Sequence, residues 1–538
     1  MMPTVTYFHP SLWGDQFLRF TPLPQATQLK KEQENKCLRE EVKKELVSSG
    51  KNGKDQLKLI EAIERLGVAY HFEKEIDEAL QEMYETYDDG CDDIYHVATL
   101  FRILRQHGFP VSSDVFKKFK DDEGGFKDWD VEGILSLYEA CHVRINGDDI
   151  LDEALTYATT QLKTIMSKNL SSPLGEQVAH ALYQPLHKGF IRLESKHYIS
   201  FYQKHASHNI SLLNFAKSDF NLLQLLHQKE LRDVTSWWKE LYKKSPFTRD
   251  RLVEGYFWIL GCYYEPQYSH ARKIFIKILM ILQVFDDIFD VYGTFDILEL
   301  LVEAVNRWDY SYVARLPQYF NSCYQVLLET VEEVEKELAK EGRSYGADHI
   351  KLQLKRTCKT WLQEAKWRRE KHVPKYEEYM EVARVTIAYN VAIVASFLGM
   401  GSIATKQSFE WMYQHPMPKP VTASLTIFRL MNDVAGSKYE QSSRDHVASS
   451  IQCYMKEFGQ MEEEQIYQIL EHQVEDAWKD INEGMLRPFV IPKPLLDRIL
   501  NLARAPELFY KQRTEGYTVV NPIVQDKIAS VLVHPIPF

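Results

Sequence analysis

The feature that most constrains this 538-residue chain is its apolar spacing. LKKEQENKCLREEVKKELV, DQLKLIEAIERLGVAYHF, EIDEALQEMYETY and HVATLFRILRQHGF carry apolar residues at i, i+3, i+4 and i+7, the stripe of a helix packed on one side. Strand-like alternation between Asn-Gly or Asp-Gly turns is nearly absent, so the pattern predicts an all-α fold. The length exceeds what one core serves, so two helical domains are expected. Residues 1–28, with four prolines and little periodicity, read as an arm anchored by Trp13 and Phe17. Between Ser167 and Ser211 the pattern is broken by Ser171-Ser172-Pro173 and by YQKHASHNIS, which places a junction near 210 and domains at 29–210 and 211–538.

A formal charge of −11 without a basic stripe argues against a nucleic-acid binder, although a bound cation can still bring an anionic substrate to an acidic protein. Seven scattered cysteines without a CxxC pair predict reduced thiols and neither a zinc site nor a disulfide framework. The first twenty residues have neither a signal peptide's apolar core nor a transit peptide's Arg and Ser content. Apolar runs such as Phe257–Tyr264 and Val391–Gly399 fall short of the roughly 18 residues of a span, so the expected compartment is the cytoplasm without membrane insertion.

The stretch Ile274 to Asp296 delivers Asp286, Asp287 and Asp290 and stops at Tyr292-Gly293-Thr294. On a helix, Asp286 and Asp290 lie roughly 40° apart with Asp287 on the adjoining flank, so three carboxylates are expected to face one small volume. Gly293 reads as a left-handed residue past the helix end, which puts the acids where the macrodipole is already negative. Like charges there cost stability. Oxygen-only ligation of Mg²⁺ or Mn²⁺ would turn that cost into a site, whereas a solvated acidic helix end is the bland alternative. A second DDxxD, Asp148-Asp149-Ile150-Leu151-Asp152, precedes EALTYATTQL and opens a helix, where acids answer free N–H groups. That one reads as structural.

Downstream, Asn432, Gly436 and Glu440 recur at i, i+4 and i+8, drifting only about 80° around a helix, and could bind cations opposite the first cluster. Upstream, Arg249-Asp250-Arg251 offers forked donors to a multiply charged phosphate, with Thr248 or Ser245 as cap of the next helix. Trp258, Tyr389, Tyr510 and Tyr517 could present aromatic faces to a cation. Each motif alone is weak.

Together, RDR, DDIFDVYGTFDILELL and RLMNDVAGSKYE, with HPSLWGDQFL near the start and SDFNLLQLLHQKELRDVTSWWKEL at mid-chain, resemble a plant terpene synthase of the sesquiterpene-forming group over almost the whole chain. The resemblance implies an N-terminal α-barrel-like domain, usually without catalysis of its own, and a C-terminal class I terpenoid-synthase bundle. It implies three Mg²⁺ ions, with Mn²⁺ as a substitute, bound by Asp286, Asp287 and Asp290, with the first and last as the usual ligands, and by Asn432, Gly436 and Glu440. Arg249, Arg251 and Arg429 match positions that meet the diphosphate of farnesyl diphosphate. Trp258, Tyr510 and Tyr517 match cavity or lid positions, and Thr386 to Tyr389 match a helix break whose carbonyls point at the developing cation. The chain is expected to be a monomer.

Departures from the family pattern are Gly436 where Ser or Thr is common, leaving Ser437 or water to complete the ligands, Glu515 in place of Asp, Ala388 in place of Gly, and Gln441 to His446 after the second motif. No DxDD acid is present; Asp88 to Asp93 has the wrong spacing for protonation chemistry. The alternatives are a monoterpene synthase using geranyl diphosphate, a chain-elongating prenyltransferase, which would carry a second DDxxD in place of Asn432–Glu440, and an isoprenoid-binding helical scaffold without turnover.

Overall fold

The computed structural model describes residues 8, 10–51, 53–86, 91–121, 124–127, 129–168, 173–440, 447–459 and 461–538, with side chains 51 and 438–440 outside the description. Among these residues the chain is helical without a named strand; a bridge between Lys120 and Phe126 is isolated. The all-α expectation holds.

Two compact units divide the chain, and neither is continuous in sequence. The smaller holds Pro22–Leu225, Trp478–Val490 and Ala529–Phe538, and the larger holds Leu226–Ala477, Ile491–Ile528 and the N-terminal residues to Thr21. The division falls inside the 35-residue helix Ile210–Lys244, later than the break that composition suggested near 210. Leu212, Leu213, Phe215, Ala216 and Phe220, in the first part of that helix, belong to the smaller unit's core. A polar interruption at 203–209 marks a turn between helices, not the change of core. The N-terminal arm is also shorter than 28 residues, because the helix Gln25–Ser48 begins directly after Pro24.

Helix ends in the smaller unit follow local chemistry. Asp93 accepts from the Tyr95 and His96 amides to start Ile94–Gln106, and Asp130 accepts from Gly133 N to start Val131–Cys141. The buried sides of these helices meet around Phe101, Leu104 and Leu137, with Phe116 edge-on to Phe101 at 5.1 Å. Such an aromatic pair adds about 0.5–1.5 kcal/mol beyond the area it buries.

The early DDxxD lies here and opens the helix Asp149–Ser167, as expected. Asp148 does not cap that helix through its side chain; it accepts from Ile145 N (2.9 Å) and pairs with Arg105 (3.3 Å). Asp152 pairs with Arg144 (2.8 Å) and Lys479 (2.9 Å), and these two cations outweigh burial and hold its carboxyl below the usual range.

In the larger unit, Arg272 and Glu230 form a fully buried bidentate pair (2.8 and 2.9 Å) that also takes the Tyr256 hydroxyl (2.8 Å). This network ties together Ile210–Lys244, Leu252–Cys262 and Ser269–Asp287, the helices that carry or flank RDR and the second DDxxD. Trp13 and Phe17 are buried as expected, and Trp13 Nε1 donates to the buried Glu254 carboxylate (2.8 Å). Tyr376–Leu398 has the length and hydropathy of a membrane span, but most of it is buried and Ala388 breaks it into two helices.

Candidate active site

The Ser269–Asp287 helix does not end on a left-handed glycine. Its last turn widens into a π-turn, Ile288–Tyr292, closed by Gly293 N donating to Ile288 O (2.8 Å), and Gly293 is extended at φ −84°. Glycine is required there by space, since a Cβ would lie 2.3 Å from Leu298 Cδ2 and 2.9 Å from Ile288 O. The wide turn also changes where the aspartates face.

Asp286 and Asp290 are accessible, but Asp287 is 1 % exposed. Its carboxylate accepts from the Arg249 amide (2.8 Å) and lies 2.7 Å from Arg249 Nε, and burial pushes it up to about 7 despite that cation. Asp286 takes Arg249 Nη2 at 2.5 Å. Arg249 thus bridges Asp286 and Asp287, and among the described residues no three acids, histidines or cysteines converge as a ready ion cage. Asp290 is exposed, yet the surrounding protein, followed by the Asp286 charge, raises its carboxyl well above the usual range.

Arg249 and Arg251 sit just before the helix Leu252–Cys262. Neither expected cap starts that helix. Thr248 Oγ1 donates to Ser245 O (3.1 Å), and Ser245 Oγ lies against Cys323 Sγ (2.9 Å). Arg251 is 1 % exposed and donates to Tyr517 O (3.2 Å) and Thr518 O (2.9 Å), while Arg249 Nη1 reaches Thr518 Oγ1 (3.1 Å). The two arginines thus tie the 510–518 segment to the aspartate helix. Glu515 holds that segment in shape by accepting from the amides of Tyr517 (2.9 Å), Thr518 (2.7 Å) and Val519 (2.7 Å), so the departure from Asp has a structural use.

The second motif lies on Lys419–Glu440. Arg429 Nη2 donates to Asn432 Oδ1 and lies 2.5 Å from Asp433 Oδ1. Asp433, which the sequence reading passed over, is 1 % exposed and accepts from Tyr379 OH (2.8 Å) and Ser450 N (3.0 Å), so it anchors Arg429. Gly436 is buried. Ser437 does not stand in for the missing hydroxyl; it is buried, bonded to Tyr467 OH (2.6 Å) and Val434 O (3.2 Å). Glu440 ends the helix with its side chain outside the described residues, as is the Gln441–His446 segment.

Glu364, on the helix Tyr345–Glu370, is a further residue that the motifs did not reveal. It accepts from Thr386 Oγ1 (2.7 Å), and burial pushes it up to about 7, helped by Asp433 and Asp286 and opposed by Arg429. This one carboxyl feels a group at each motif, Asp433 and Asp286. The helix break is present, with Ala388 at φ +61° between Tyr376–Thr386 and Tyr389–Leu398. At its start, Thr386 O is held by Trp361 Nε1 (2.9 Å).

The expected aromatics converge. Trp258 lies parallel to Phe509 at 4.6 Å and edge-on to Tyr389 (6.1 Å), Tyr517 (5.4 Å) and Tyr510 (6.4 Å). Trp258 Nε1 donates to Tyr389 OH (2.8 Å), which donates to Leu502 O (3.1 Å), fixing both rings. Phe428 and Phe509 complete the cluster. Their sequence signal was only adjacency to Arg429 and Tyr510 in a chain with 27 Phe.

Residues 239–480 match the terpene synthase family's metal-binding domain, and 12–182 match the terpene synthase N-terminal domain. The chain belongs to the terpene synthase family. This synthase is 49% identical to a (−)-germacrene D synthase of Vitis vinifera over 98% of its own length and 95% of that protein. It is 48% identical to a probable sesquiterpene synthase of Santalum murrayanum, over 99% of its own length and 96% of that protein. It also resembles the crystal structure of isoprene synthase from grey poplar, in complex with three Mg²⁺ ions and dimethylallyl-S-thiolodiphosphate, with a TM-score of 0.86 and 31% identity over 94% of this chain and 97% of that one. The synthase is a divalent-metal-dependent lyase acting on a diphosphate. Its donor set fits such a metal: the accessible Asp286 and Asp290 carboxylates and the Asn432 amide offer hard oxygens only, and Mg²⁺ is typically held by one or two carboxylates, waters and substrate phosphates in place of a complete protein cage.

Proposed function

We propose that this synthase ionises farnesyl diphosphate and cyclises the resulting cation to a sesquiterpene, as a monomer in the cytoplasm. The reading is carried by one adjacency: Thr518 bonds the arginines of the charged site while Tyr517, its neighbour, packs on Trp258 in the aromatic cluster. A charge-binding region and a cation-stabilising region therefore meet at one peptide.

Asp286, Asp290 and Asn432, with Glu440, would hold Mg²⁺, three ions per site, or Mn²⁺ in its place. When bound, the ions supply Lewis acidity and charge neutralisation at the diphosphate oxygens. Arg249 and Arg429 bind those oxygens and take up charge as the allylic C–O bond breaks with its electron pair leaving on the diphosphate. Arg251, through its hold on Tyr517 and Thr518, keeps the 510–518 segment closed and water out; captured water would end the reaction as an alcohol. The faces of Trp258, Tyr389, Tyr510 and Tyr517 stabilise the cation by about 2 kcal/mol or more when desolvated. A carbon–carbon bond closes and the cation loses a proton.

Incubation with farnesyl or geranyl diphosphate plus Mg²⁺, read by gas chromatography–mass spectrometry, tests the proposal. Cyclic fifteen-carbon products from farnesyl diphosphate are expected, together with loss of product in Asp286→Ala at unchanged helicity. Equal turnover by Asp286→Ala would sink the assignment, and a preference for geranyl diphosphate would move it to the monoterpene reading.

A further inference from the structure

The end of the aspartate helix has an unusual means of closure. A helix leaves its last carbonyls without intrahelical partners, and the commonest remedy is a left-handed residue whose following amides fold back onto them. Here Gly293 is extended, and its amide reaches only Ile288 O. The next two carbonyls are met from elsewhere: Arg368 donates Nη2 to Phe289 O (2.9 Å) and Nη1 to Asp290 O (2.7 Å). Two prongs of one rigid guanidinium thus grip two consecutive peptides, and a cation sits at the negative end of the helix dipole.

Arg368 belongs to a stripe on Tyr345–Glu370. Trp361, Glu364 and Arg368 are spaced i, i+3 and i+7 and share one helix face. Trp361 packs on the Phe289 ring (5.4 Å) and donates to Thr386 O (2.9 Å), and Glu364 accepts from Thr386 Oγ1 (2.7 Å). The same face therefore holds both the aspartate turn, through Trp361 and Arg368, and the helix break, through Trp361 and Glu364.

We propose that Arg368 is a positioning residue which, by fixing the Phe289 and Asp290 carbonyls, sets the direction in which the Asp290 carboxylate meets a divalent ion. The inference rests on the reading of Asp286 and Asp290 as metal ligands. Arg368 touches neither ion nor substrate; its two bonds are to backbone. Its effect should therefore appear in the order of the turn and in metal affinity together. Lysine would keep the charge but lose the fork, so Arg368→Lys separates geometry from charge.

The test compares the wild-type full chain, Arg368→Met and Arg368→Lys in two measurements. In metal-free protein, amide hydrogen exchange at 289–293 is expected to speed up on the order of tenfold in Arg368→Met. In calorimetric titration with Mg²⁺ in the presence of inorganic diphosphate, half-saturation is expected to rise on the order of tenfold, as for other residues that orient a metal ligand. Arg368→Lys should fall between wild type and Arg368→Met. Mg²⁺ affinity within twofold of wild type in both variants overturns the proposal, even if the melting temperature drops, because that pattern describes a helix staple alone. Should Arg368→Met fail to fold, Arg368→Lys decides by the same criterion. If the wild type itself takes up no Mg²⁺ with diphosphate, the metal reading fails, and exchange at 289–293 still tells whether Arg368 orders the turn.

Discussion

The two DDxxD stretches share a pattern and differ in nearly everything that pattern touches. Asp148 to Asp152 opens a helix, where dipole and free amides favour acids, and its charges are matched inside the smaller unit by Arg105, Arg144 and Lys479. Asp286 to Asp290 closes a helix on a π-turn: Arg249 is shared between Asp286, Asp287 and Thr518, while Arg368 grips backbone and Asp290 has no ion pair among the described residues. The first cluster is neutralised by its own fold. The second is answered only in part, by Arg249 on Asp286 and Asp287. What distinguishes a site from a salt-bridged helix start is therefore which helix end carries the acids and what already answers them.

The largest expected effect that sharpens this contrast is on the first cluster. Asp148→Ala leaves Arg105, itself 4 % exposed, without its buried carboxylate, and is expected to cost about 3–5 kcal/mol in denaturant unfolding with catalytic rate per folded molecule unchanged. A loss of rate at full stability would break the contrast.

A smaller effect separates the clusters by pH. The Asp287 carboxyl is raised in the fold to about 7, so its contribution to stability is full below the unfolded value near 3.8 and is lost as pH rises through 7. The Asp152 carboxyl is lowered, so its contribution is present above the unfolded value and is lost as pH falls through its folded one. In metal-free protein, Asp287→Asn should flatten the fall in melting temperature between about pH 4 and 7. Asp152→Asn should lower the melting temperature slightly above about pH 4 and change its slope only below that. Because Asp152 is 43 % exposed, its pairs with Arg144 and Lys479 are worth at most about 1 kcal/mol at neutral pH. Identical pH profiles for the two variants would contradict the opposite environments assigned to them.

Much of this was legible in sequence. Helical periodicity predicts an all-α fold because a 3.6-residue stripe leaves strands no consistent face, and the order of RDR, DDIFD and NDVAGSKYE points to the candidate site. What escaped depends on contacts between residues far apart in the chain. Gly293 is a glycine for want of space beside Leu298, which sequence cannot tell from a left-handed cap. Asp287 looks equivalent to its neighbours in sequence, but it is buried against Arg249. Ser437 stands beside the position of a missing ligand but points to Tyr467, since one residue along a helix is roughly 100° around it. Asp433, Glu364 and Arg368 carry no motif of their own; they matter because partners on other helices meet them. Ala388 was read as a departure from glycine, and it does occupy the left-handed region, at a cost of about 1–2 kcal/mol that the packed break sustains.

Which acidic cluster takes the metal is tested most directly by calorimetric titration of Mg²⁺, in the presence of inorganic diphosphate, into wild type, Asp152→Asn and Asp286→Asn. The predicted result is wild-type uptake by Asp152→Asn and uptake weakened on the order of 10-fold to 100-fold by Asp286→Asn. Equal uptake by all three, or loss confined to Asp152→Asn, would contradict it.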